Sequence, residues 1–242
     1  KFIKHLKEND IKMHCILGNH DVYYRNTNDV NSLTELFEND IIIHEEPTVV
    51  DFNGLSIGLL PWINKTNYDK SLEFIKNASA PILISHLELD GYQVMRGINY
   101  QGGMDPKIFD RYEKVFSGHF HCRQENENIY YLGTQYQITF ADLNETKGFH
   151  ILDTNTREVE FVENPFKMFH TLTYNNEMVG EYSHLKDAYV KLFVESKKDP
   201  YAFDRFMDKL YDAGVAKITI VEDIIDSEWT KEEIVDLAQD TV

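Results

Sequence analysis

The chain reads as an α/β protein followed by a smaller α+β module. Three observations predict this. Over the first half, short apolar runs alternate with segments of helical periodicity. The middle is richer in strands and implies a second, more antiparallel sheet. After Asn164-Pro165 the pattern restarts as two strands, a helix, a strand and a helix. The expected domains are therefore residues 1–164 and 165–242.

Taken in order, Lys1 to Glu8 carries Phe2, Ile3 and Leu6 as the tail of an amphipathic helix, broken by Asn9-Asp10. Ile11 to Leu17 is a buried strand. Thr27 to Glu38 has Val30, Leu33, Leu36 and Phe37 on one helical face, and Ile41 to Ile43 is a short strand. Val49 to Phe52 and Leu55 to Leu60 flank Asn53-Gly54, a strong hairpin signal. Tyr68 to Asn77 is helical, and Pro81 to Ser85 is a buried strand ending at His86. Residues 90–104 form a Gly-rich polar loop. Asp105 caps a short helix that has Pro106 at its first position. Lys114 to Ser117, Ile129 to Leu132, Phe149 to Leu152 and Val159 to Val162 are strands, the last two joined by "DTNT". In the second module, Met168 to Thr173, Tyr189 to Val194 and Ala216 to Val221 are strands. Pro200 to Ala213 and Thr230 to Ala238 are helices, and the acidic end is loosely attached.

The bulk numbers narrow the function. At 242 residues and 42% hydrophobic, the chain can bury a substantial core. No apolar run reaches the roughly 18 residues of a membrane span, and no signal peptide is visible. Cys15 and Cys122 suit a reducing compartment better than a disulfide framework, and both read as small buried hydrophobes. The expected location is the cytoplasm. A net charge of −17 repels phosphate, so any contact with DNA must be local, metal-assisted or helped by a partner.

Three stretches share one pattern: "ILGNHD" (16–21), "ILISHLELDG" (82–91) and "VFSGHFH" (115–121). Each is an apolar strand that empties into His or Asn. In open α/β sheets, ligands gather beyond the carboxyl ends of strands, so Asn19, His86, His119 and His121 can converge. Imidazoles suit Zn, Mn or Fe, and an amide oxygen suits a harder ion such as Mn. Taken singly, each residue has a plainer explanation. A strand-end His is most often a half-exposed polar residue, and GNHD on its own is a turn. The conjunction and order of the three carry the signal. His14, His44, His150, His170 and His184 stand in no comparable context.

"GNHD", "SHLELDG" and "SGHFH" resemble the last three motifs of calcineurin-like metallophosphoesterases. With "VVDFNGLSIGLLPW" and "IYYLGTQYQITFADLNETKGFHILD", the chain is similar to the SbcD-type repair and recombination nucleases, above all those of T-even phages. The resemblance spans roughly Ile11 to Val162; beyond Pro165 it extends only to layout. It implies a four-layer sandwich of two β-sheets flanked by helices, and a site for two divalent metals. Mn is the foremost candidate, with Mg, Zn or Fe as alternatives. Asn19, His86 and His119 would bind one metal, and His121 would reach the other. His20 would orient the phosphate and protonate the leaving oxygen, with Asp21 holding its ring. The implied partners are DNA, an SbcC-type coiled-coil ATPase and a second copy of the chain; if phage-encoded, the complex would work in the host cytoplasm. Tyr92, Arg96 and Tyr100, in the loop after His86, are candidates for DNA contact.

The family's Asp-x-His and Gly-Asp motifs do not occur before Asn19. Two further βα units, roughly 60–80 residues, would carry them. The chain is therefore expected to be N-terminally truncated and weak or inactive alone. The competing expectations are a small-molecule phosphoesterase on the same site, and a non-catalytic scaffold that binds DNA or the ATPase.

Overall fold

The structure is a computed structural model that describes residues 1–95, 97–176 and 180–222. The chain divides into two compact units: residues 1–136 with 144–165, and residues 137–143 with 166 onward. The expected boundary at Asn164-Pro165 puts 137–143 in the first domain. Those residues instead lie with the second unit, where the Gln137 side chain accepts from the N–H groups of Met168 and Phe169.

The first unit begins with α1 (Phe2–Glu8) and β1 (His14–Ile16), then α2 (Ser32–Phe37) and β2 (Ile42–His44). β1 and β2 form a separate parallel pair. β1 is only half-buried, not the buried strand expected, and among the described residues it pairs with β2 alone. α2 is shorter than the expected Thr27–Glu38. Asn31 caps it, its side chain accepting from Thr34 N–H, and the preceding Asn28 is held in a buried network instead of a helical turn.

β3 (Thr48–Phe52) and β4 (Leu55–Leu60) form the expected hairpin, with Asn53 and Gly54 both at positive φ as a primed turn requires. α3 (Tyr68–Asn77) crosses to β5 (Ile82–His86). The expected loop at 90–104 contains a small hairpin, β6 (Gln93–Met95) with β7 (Ile98–Asn99). β8 (Lys114–Gly118), β9 (Gln124–Asn126) and β10 (Ile129–Tyr131) follow, then the antiparallel pair β11 (Gly148–Leu152) and β12 (Val159–Glu163). β9 was not anticipated, since Gln124, Glu125 and Asn126 make a wholly polar edge strand.

The centre of this unit is a six-stranded mixed sheet in the order β3-β4-β5-β8-β10-β9. β4, β5, β8 and β10 run parallel, and the two outer strands are antiparallel. One face packs Leu60, Ile75, Leu83, Phe109, Val115 and Tyr131; the other packs Ile57, Leu59, Ile82 and Phe116. Burial on both faces explains why β4, β5 and β8 read as continuous apolar runs. Tyr112 Oη and Arg111 Nη1 both donate to the Ile75 carbonyl, which ties the end of α3 to the turn before β8.

The second unit has a parallel sheet, β13 (Phe169–Asn175), β14 (Tyr189–Ser196) and β15 (Lys217–Val221), with β14 central. α4 (Pro200–Asp212) is the crossover from β14 to β15 and buries Phe203, Phe206, Met207 and Leu210. The connectivity is therefore α/β and not the expected α+β, because a strand–helix–strand sequence does not by itself disclose strand direction. The helix expected at Thr230–Ala238 and the acidic end lie outside the described residues. No helix among the described residues is long and apolar enough to cross a membrane.

Candidate metal centre

β5 and β8 are neighbours, in a register that sets His86 opposite Gly118. Both strands end at the same edge of the sheet. The residues after β5 are pinned there: Leu87 N–H donates to Ser117 Oγ, Leu89 N–H donates to Tyr131 Oη, and Tyr131 Oη donates to the Leu87 carbonyl. β1 reaches the same place through Leu17, which is fully buried and accepts from Trp62 N–H at 2.8 Å.

Three donor atoms meet at this edge. His86 Nε2 lies 2.9 Å from Asn19 Oδ1, His119 Nδ1 lies 3.3 Å from His86 Nε2, and His119 Nδ1 lies 3.4 Å from Asn19 Oδ1. A cation about 2.1 Å from each of two donors holds them about 3.0 Å apart at a right angle and about 3.4 Å apart at a tetrahedral angle. The triangle has the dimensions of one face of a coordination shell. Among the described residues, no three His, Cys, Asp or Glu side chains form a metal-binding group; the third corner here is an amide oxygen. Two imidazoles and an amide match a nitrogen–oxygen ion such as Mn.

Two glycines make the triangle possible. A Cβ on Gly18 would stand 2.9 Å from His86 Cε1, and one on Gly118 would stand 2.9 Å from His86 Nδ1. The imidazole thus occupies space that any side chain at either position would take. His119 follows Gly118 with φ at +85°, an uncommon conformation for a residue with a Cβ. That backbone turns Nδ1 toward the triangle while Nε2 lies 3.2 Å from Glu88 Oε1.

Glu88 was not singled out from sequence, yet it orients one corner. A carboxylate on the far nitrogen of an imidazole sets the tautomer and raises its basicity as a ligand. Its pKa is held below the usual Glu value, first by the hydrogen bond to His119, against an opposing effect of burial. Tyr100 Oη donates to the other carboxylate oxygen at 3.0 Å. Glu88→Gln is expected to weaken Mn affinity by about 10- to 100-fold while leaving the fold intact, measured by titration of the metal-free chain. Trp62 was also missed. Its ring stacks on His119, with centroids 5.5 Å apart and planes 23° apart, and meets His86 edge-on at 6.0 Å. The available signal was its place just beyond β4, a third parallel strand ending beside β5.

Burial, above all, drives the His86 pKa down to about 3; the neighbouring His119 and His20 add to this, and Glu88 opposes it. The imidazole is therefore neutral at pH 7 and ready to ligate. Its depressed pKa also has a sign for stability. Between pH 6.5 and about 3 the unfolded chain binds a proton at this position that the folded chain refuses. Stability contributed here is complete above pH 6.5 and is lost as pH falls toward 3. The metal-free protein is expected to show a melting temperature that declines steadily over this window in a thermal scan series.

The remaining candidates are not corners of the triangle. His20 is exposed at the rim of the triangle. For Asp21, expected to hold the His20 ring, the observed hydrogen bond is to Gly18: its Oδ2 accepts from Gly18 N–H at 2.7 Å and closes the turn that presents Asn19. His121 is not a corner of the triangle. Its carbonyl accepts from Lys147 Nζ at 2.9 Å, and its charge has a minor effect on His86. Tyr92 is a core residue, 5% exposed and packed on Tyr131, so its ring is not available to stack on a base. Tyr100 is half-buried and engaged with Glu88. Arg96 lies outside the described residues.

No protein-family model matches the chain. Among curated proteins, the chain is similar to "Exonuclease subunit 1" of Enterobacteria phage T4, with 32% identity over 213 residues. The match takes in 87% of this chain and 62% of that protein, so the chain spans about three-fifths of the length of the curated relative it matches.

Proposed function

We infer that this chain is part of a metal-dependent DNA nuclease subunit that hydrolyses phosphodiester bonds in recombination or repair. The observation that carries this reading is the triangle of Asn19 Oδ1, His86 Nε2 and His119 Nδ1, with edges of 2.9 to 3.4 Å. The similarity to a phage exonuclease subunit supports the substrate class, and the word "subunit" in that protein's name supports a complex with a second component. An SbcC-type ATPase and a homodimer fit an acidic chain that needs basic surface from elsewhere. The mixed sheet with its separate β11–β12 pair is compatible with the two-sheet metallophosphoesterase sandwich.

In this reading Asn19, His86 and His119 would hold one Mn ion, and His121 would contribute to the site of a second. The pair of metals would polarise the phosphoryl oxygen and activate the attacking water. The chain's own groups do the rest. Glu88 holds the His119 tautomer, and the Gly18 turn, closed by Asp21, aims the Asn19 amide. His20 is exposed where it can meet a phosphate oxygen and give a proton to the leaving group.

The test is to load the chain with Mn, remove free ions, and count bound metal by elemental analysis. Linear duplex DNA and an aryl phosphodiester are then compared as substrates, with and without the ATPase. One or two tightly held ions per chain and a preference for DNA that rises with the ATPase support the reading. Absence of both metal and hydrolysis turns the chain into a scaffold. A preference for the aryl ester turns it into a small-molecule phosphoesterase.

A further inference from the structure

Beside the triangle lies a cavity of about 270 Å³ whose walls include Trp62, Ile63, Tyr68, His86, Leu87 and Glu88. Apart from His86, its walls supply no corner of the triangle. We propose that it is a subsite for one unpaired nucleobase next to the scissile phosphate, so that the substrate is DNA with unpaired terminal nucleotides. This rests on the nuclease reading for its orientation, though not for its binding chemistry.

Four features argue for this occupant. The first is size: the volume is just below the roughly 300–1,000 Å³ of sites for drug-sized ligands. It has room for one flat ring system and none for a duplex. The second is wall chemistry. Two aromatic side chains line it, Tyr68 is 47% exposed, and base–aromatic stacking tolerates any base because every base has a π-face. The third is charge. The Glu88 carboxylate borders the cavity and repels phosphate, which leaves the neutral base as the part of a nucleotide that can enter.

The fourth is rigidity. The segment from Trp62 to Tyr68 is tied down by buried amides. Asn67 Nδ2 donates to the Trp62 carbonyl, Asn64 N–H donates to Asn67 Oδ1, and Asn64 Nδ2 donates to Asn28 Oδ1. Asn28 in turn donates to the Glu45 carbonyl. A loop needed only to join β4 to α3 does not require two buried asparagines of its own, whereas a stacking platform benefits from pre-organisation.

The test uses the full chain with Trp229→Phe, which leaves Trp62 as the sole tryptophan. Its fluorescence is followed in chelator and low salt, so that no metal or catalysis enters the readout. The probes are an oligothymidylate of about ten nucleotides, a fully paired duplex with closed hairpin ends, and inorganic phosphate. The oligothymidylate is expected to quench Trp62 saturably. Tyr68→Ala should weaken it at least about 5-fold, the low end for one lost base stack, and Tyr68→Phe should bind within about 2-fold of the parent. The proposal is overturned if Tyr68→Ala binds like the parent, if phosphate reproduces the quenching, or if the closed duplex binds as tightly. Failure of Mn binding would sink the nuclease reading and leave this signal intact. Mn binding and DNA cleavage with no Tyr68 effect would sink the subsite alone.

Discussion

His86→Ala is expected to lower Mn affinity by at least about 100-fold. Removing an outer partner of a ligand costs up to about that much, and removing the ligand itself costs no less. His86 Nε2 is the corner closest to a second donor, 2.9 Å from Asn19 Oδ1, and also faces His119 Nδ1, so its loss leaves the other two corners without a third. Equilibrium dialysis with Mn, followed by elemental analysis, measures the effect. Any DNA hydrolysis by the complex should fall with it. Without metal, the same variant should be less acid-sensitive than the parent. The proton that the folded chain refuses between pH 6.5 and about 3 belongs to this imidazole, and without it the melting temperature should flatten over that window. Unchanged Mn affinity would dissolve the triangle as a metal centre, whatever else the chain does.

The three corners were legible in the sequence because each follows an apolar strand without a spacer. A fully buried Leu17, and the β5 and β8 runs buried on both sheet faces, leave the first polar residue after each strand at one sheet edge. What the sequence could not disclose was adjacency. That β5 pairs with β8 and not with β10 is a long-range choice made by packing, and on it depends the placing of His86 against Gly118. Glu88 and Trp62 escaped for different reasons. Glu88 looked like one more acid in a chain with 41 of them. Trp62 stands just beyond an apolar strand, and its ring contacts with His119 and His86 separate it from an ordinary core aromatic.

Tyr92 was misjudged in the opposite direction. Glycine-rich, polar surroundings suggested an exposed loop, but the chain folds back as β6 and β7 and turns that ring into the core. Asp21 illustrates a third limit. Its type and spacing suit a partner for His20, yet a carboxylate three residues after a glycine can equally close its own turn, and here its Oδ2 accepts from the Gly18 N–H. The length of α2 was overestimated because Asn28 and Asn31, read as helical, are drawn instead to Asn64 and Glu45.

Gly18→Ala should separate the steric part of the site from its chemistry. The new methyl would stand 2.9 Å from His86 Cε1 and 3.1 Å from both ring nitrogens, closer than packed atoms allow. The backbone there needs no left-handed φ, so the effect is one of contact and not of conformation. Inserting a methyl into a packed interior costs about 1–3 kcal/mol. In a chain of this size that lowers the melting temperature by roughly 2–4 °C per kcal/mol. Because the obstacle is the imidazole that makes the triangle, Mn affinity should fall at the same time, by at least about 10-fold. The decisive comparison is a double-mutant cycle. In a His86→Ala background the ring is gone, the methyl has room, and Gly18→Ala should cost no more than about 0.5 kcal/mol. Thermal unfolding of the parent, both single variants and the double variant gives the coupling directly. If Gly18→Ala destabilises equally in both backgrounds, the glycine serves the turn and not the imidazole. Strong coupling would mean that the backbone at residue 18 is kept bare so that a histidine 68 positions further along the chain can stand against it.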